Sequence, residues 1–161
     1  MNINHLIQLI TAVPASVAFA VIFNVHGKKL GAIALGSGIG WIAYILLGLA
    51  GVDEYLSYFL VATLISLFAE AMARILKAPA TIFIVPSLIP LIPGAALYYT
   101  MAHAFGGASD KFAEQAGHTL TLGAALAIGI IVSAVFMQVI TREIQASRER
   151  RAHNKRDGAK K

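Results

Sequence analysis

Five apolar stretches, each long enough to cross a lipid bilayer as a helix, constrain this chain more than any other feature. They cover residues 6–23, 30–52, 55–73, 80–105 and 119–140. A helix rises about 1.5 Å per residue, so a hydrocarbon core of about 30 Å takes roughly 20 residues to cross. The joints between them, at 24–29, 53–54, 74–77 and 106–118, are too short to hold a folded domain. Within each stretch the apolar residues surround the helix instead of keeping to one stripe, as lipid-facing helices do. Charged residues make up only 13% of the chain and the mean hydropathy is +0.73. A soluble domain, whose whole outside faces water, carries about 25% charged residues. The expectation is an all-α integral membrane bundle of about five transmembrane helices over 1–141, followed by a basic, disordered cytoplasmic tail over 142–161.

Charge predicts the orientation. Lys28 and Lys29, then Arg74 and Lys77, then eight basic residues from Arg142 onward occupy alternate joints and the tail. The opposite joints carry Asp53 and Glu54, then Asp110, Lys111 and Glu114. Twelve basic residues thus face one side and one faces the other. By the positive-inside rule the C-terminus is cytoplasmic, and an odd number of spans puts the N-terminus outside. The first five residues hold no Lys or Arg, so the first stretch reads as a retained span and not as a cleaved signal peptide.

Several chemistries are excluded. The chain has no cysteine, hence no disulfide and no thiolate site. Its five histidines form no i, i+4 pair, so no metal site is expected. Phosphate loops, Gly-x-Ser-x-Gly elbows and His-Glu-x-x-His motifs are missing, and neither an enzyme nor a cofactor is expected. The basic tail lacks aromatic or base-reading partners, which suits anionic lipid headgroups better than nucleic acid.

Polar and irregular residues inside the spans are the candidates for function. Glu70 lies one turn before Arg74, near the cytoplasmic end of the third span. Unpaired charges are rare in membranes. Two readings stand: an i, i+4 ion pair that fixes the depth of the helix, or a proton-coupling group facing a polar cavity. The fourth span contains Pro86, Pro90, Pro93 and Gly94. Each proline in a helix interior removes a donor and costs about 3 kcal/mol. The span is expected to break near 90–94 and to restart at Pro93 or Gly94, with unpaired amides able to receive a carboxylate. Such broken helices form the substrate sites of many secondary transporters; a structural kink against a neighbour is the other reading. Gly36 and Gly40 form a small-residue step suited to close helix packing. The hydroxyls of Tyr98, Tyr99 and Thr100 follow the proline block and can either line a cavity or pack.

Two motifs, Pro14-Ala-Ser-Val-Ala-Phe-Ala-Val-Ile-Phe-Asn24-Val and Val85-Pro86-Ser-Leu-Ile-Pro90-Leu-Ile-Pro93-Gly94-Ala-Ala-Leu-Tyr98, resemble those of the threonine/serine exporter family. Length and span count are similar to the short, five-span component of its split, two-chain members. The resemblance implies a multi-pass inner-membrane exporter of small carboxylates, either hydroxy amino acids or a dicarboxylate such as succinate, driven by the proton gradient. It implies a larger five-span partner chain bearing a soluble domain, or else a homo-oligomer. The candidate substrate-binding residues are Ser87, Pro93, Gly94, Ala95 and Tyr98, with Asn24 from the first motif. Glu70 and Arg74 are the candidates for proton coupling. The competing reading is a non-transporting assembly or scaffold subunit.

Overall fold

The computed structural model describes residues 3–107 and 109–158, the side chains of Asn4 and of residues 144–158 excepted. Its helices are α1 (Ile3–Ile22), α2 (Lys28–Leu49), α3 (Glu54–Ile75), α4 (Thr81–Leu88), α5 (Gly94–Phe105) and α6 (Ser109–Gly158). A 3-10 turn over Ile89–Leu91 links α4 to α5. The basic stretch expected as a disordered tail over 142–161 continues α6 as a helix as far as Gly158, and residues 159–161 lie outside the described residues.

Each early helix ends on a residue in the left-handed region. Asn24 (φ 61°), Gly51 (φ 75°) and Lys77 (φ 48°) each follow a helix end. The next amide in each case, of Val25, Val52 and Ala78, bonds back to Ala20, Leu47 and Ala73 at 2.9–3.1 Å. This six-to-one bond satisfies carbonyls that the helix end would otherwise leave bare. At the other end of the second joint, the Asp53 carboxylate caps α3 by accepting from the amides of Tyr55 and Leu56.

The central relationship is that α3 and α6 run parallel. Glu54 meets His118 at one end, Thr63 meets Gly129 in the middle, and Arg74 meets Thr141 at the other end. A parallel pair requires the chain between them to return to its starting side, so α4 and α5 together make one crossing. They are bent by 60° at the break. Among the described residues four helices are long and apolar enough to cross a membrane individually, and the bent pair makes a fifth span.

The fifth span begins earlier than the sequence suggests. Most of the joint expected at 106–118 is the first part of α6, which opens with Asp110 in its first turn. A carboxylate there complements the positive end of the helix.

Small residues set the helix spacing. A Cβ on Gly36 would lie 3.0 Å from Phe68 and from the Ser87 hydroxyl, and one on Gly40 would run into Ile65. Serines bridge the buried contacts: Ser16 donates to Ser37 at 2.8 Å, and Ser87 reaches the Ile33 carbonyl at 3.4 Å. Lipid offers no hydrophobic drive between helices, so such packing and bonds, about 0.6 kcal/mol each, hold the bundle together. The outside is apolar, with Leu35, Leu46, Leu64, Ile131 and Val135 exposed.

Candidate functional site

The proline block produces the break in three steps. Ile89–Leu91 tighten into the 3-10 turn, Ile92 becomes extended, and Pro93 adopts φ −75°, ψ 60°. The Gly94 amide then donates to the Ile92 carbonyl at 2.7 Å, closing an inverse γ-turn. From there α5 starts, and the Leu97 amide makes its first bond, to Pro93. No side chain caps this end. The amides of Ala95 and Ala96 therefore lie in the first turn, where no preceding carbonyl can accept from them.

These amides border a cavity of about 530 Å³. Pro93, Gly94, Ala95, Ala96 and Tyr99 line one side. Glu54 and Tyr58 of α3, with Gln115, His118 and Leu122 of α6, form the other. His118 Nε2 and Glu54 Oε2 are 3.1 Å apart, and the His118 ring meets Tyr55 edge-on at 5.6 Å. The side chains of His118 and Glu54 are 32% and 45% exposed, and both line the cavity. Behind Tyr58, a ladder through Tyr44 to Trp41 connects this wall to α2. The site combines amide donors and the positive end of a helix on one side with an acid–imidazole pair on the other.

A second polar cavity, of about 410 Å³, lies at the opposite end of the α3–α6 pair. It is lined by Glu70, Arg74, Gln138, Thr141 and Arg142, with Ala134 and Met137. The i, i+4 ion pair expected between Glu70 and Arg74 is not formed. Arg74 instead donates to the Thr141 hydroxyl at 2.6 Å and reaches the Met137 carbonyl at 3.5 Å. The reason is tertiary: α6 runs alongside and presents acceptors to the guanidinium.

The sequence-derived candidates thus separate. Pro93, Gly94 and Ala95 lie together at the first cavity, and Glu70 and Arg74 lie together at the second. Ser87 is buried against α2. Asn24 terminates α1, and its carbonyl oxygen lies 2.9 Å from His26 Nδ1. Tyr98 is 68% exposed and meets Tyr99 edge to face, and Tyr99, not Tyr98, lines the cavity. Glu54, Tyr58, Gln115 and His118 do not stand out in the sequence. Glu54 reads there as a joint charge and His118 as one of five scattered histidines, and no local pattern links positions 64 residues apart.

A family model described as Threonine/Serine exporter, ThrE, matches residues 8–136. The chain belongs to this family. It is therefore a multi-pass membrane protein of a threonine/serine exporter family, which points to transport. The matched region contains the whole of the bent span and every residue of the first cavity. No solved structure matches the chain.

Proposed function

We propose that this chain is the membrane subunit of a proton-coupled exporter of small carboxylates, and that the cavity at the start of α5 holds the substrate's carboxylate. The substrates are threonine and serine or a dicarboxylate such as succinate. The observation that carries this reading is the free first turn of α5 facing a polar cavity of about 530 Å³. A cavity of that size suits a small solute, and unpaired amides in a span need either a neighbour or a polar solute.

The charge pattern supports an inner-membrane placement with the N-terminus outside and the C-terminus cytoplasmic. On that placement the α5 cavity opens toward the outside. The Glu70–Arg74 cavity opens toward the cytoplasm and supplies the proton-coupling group. Glu70 is half-buried on α3 there.

A partner also fits the geometry. α5 rests chiefly on α6 and leaves Tyr98, Met101 and Phe105 exposed. That surface suits a larger five-span chain with a soluble domain, or a second copy of this one.

The test is uptake of labelled L-threonine, L-serine and succinate into everted membrane vesicles, with and without the co-expressed partner and with and without an uncoupler. Uptake that needs this chain and collapses with the uncoupler is expected. A non-transporting assembly subunit would leave uptake unchanged by its removal, and that result would end the proposal.

A further inference from the structure

The cavity contains a carboxylate of its own, and a site for carboxylates has no evident use for one. Glu54 opens α3 and lines the cavity, where its Oε2 is held 3.1 Å from His118 Nε2 of α6. Its neighbour Asp53 is occupied in capping α3. Oε1 of Glu54 takes no partner among the described residues. The remaining lining is uncharged: Tyr58, Tyr99 and Gln115 provide hydroxyls and an amide.

We propose that Glu54 is the specificity-determining residue of this cavity and receives the α-ammonium group of a zwitterionic amino acid. His118 is its positioning partner. In the empty cavity the imidazole holds the carboxylate in place across the α3–α6 interface. When an amino acid enters, its ammonium group takes the free oxygen, and a charge-assisted bond forms. A dicarboxylate has no group for Glu54 and sets a second negative charge beside it. The pair therefore selects hydroxy amino acids over succinate. This inference rests on the reading of the cavity as the substrate site.

The test compares uptake of labelled L-threonine and succinate into everted vesicles bearing the full chain as wild type, Glu54→Gln or His118→Gln. Loss of one charge-assisted bond in Glu54→Gln is expected to lower the threonine-over-succinate preference about tenfold or more. His118→Gln keeps the carboxylate and is expected to keep the preference for threonine, even where total uptake falls. A Glu54→Gln preference equal to wild type overturns the role of Glu54 while leaving the exporter reading intact. So does a His118→Gln variant that retains uptake but loses the preference. Wild-type vesicles that accumulate neither compound overturn the exporter reading and this inference with it.

Discussion

Thr63 on α3 and Gly129 on α6 mark a close approach of the two parallel helices. The Thr63 hydroxyl donates to its own-helix Phe59 carbonyl at 2.8 Å and reaches the Gly129 carbonyl at 3.3 Å. A Cβ added to Gly129 would sit 2.7 Å from the Phe59 carbonyl oxygen and 3.1 Å from the Thr63 amide nitrogen. The obstruction is backbone, which cannot rotate aside as a side chain can.

Gly129→Ala is therefore expected to force α3 and α6 apart at the cost typical of overpacking, about 1–3 kcal/mol. Unfolding in mixed detergent micelles measures it. A variant as stable as wild type would mean that the two backbones approach less closely than these distances.

The α2 glycines separate by their surroundings. A Cβ on Gly40 would collide with Ile65, whereas one on Gly31 would meet nothing within 4 Å. Gly40→Leu is expected to lower the midpoint of thermal unfolding and the yield of folded protein. Gly31→Leu leaves both near wild type. Equal behaviour of the two would remove Gly40 from the packing interface.

At the α5 cavity, steric and chemical roles can be told apart. Nothing lies within 4 Å of a Cβ on Gly94, so Gly94→Leu folds, but its side chain occupies space needed by substrate. The threonine-induced thermal shift is expected to vanish. Tyr99→Ala is expected to weaken it and Tyr98→Ala to leave it unchanged, because only Tyr99 lines the cavity. The reverse order for the two tyrosines would place the site on the other face of α5.

Glu70→Gln tests proton coupling at the opposite cavity. Gradient-driven uptake into everted vesicles is expected to be lost, with expression and thermal stability intact, since Glu70 makes no ion pair with Arg74. Retained uncoupler-sensitive transport in this variant would assign the coupling elsewhere.

The break in the fourth span is legible in the sequence because its cause is local. Pro90 and Pro93 lack amides within four residues of each other, so a break over 90–94 is expected from local covalent structure, whereas the single prolines Pro14 and Pro86 stay inside α1 and α4. Asn24 is legible as a motif position but not as to its role. Its left-handed φ at the end of α1 accounts for it as a helix terminator. Gly129 escapes a sequence reading, although Ala125, Gly129 and Ser133 form the same small-residue spacing as Gly36 and Gly40.

Sequence by itself determined the solvent, the number of crossings and where the fourth one breaks. Each of these depends on runs of adjacent residues and the hydrogen bonds they can make in lipid. Only the tertiary structure decided what faces the break. Glu54 and His118 meet because α3 and α6 run parallel, and Arg74 turns from Glu70 to Thr141 for the same reason. Such pairings depend on helix direction and spacing, which small residues far apart in the chain set jointly and which no local stretch encodes.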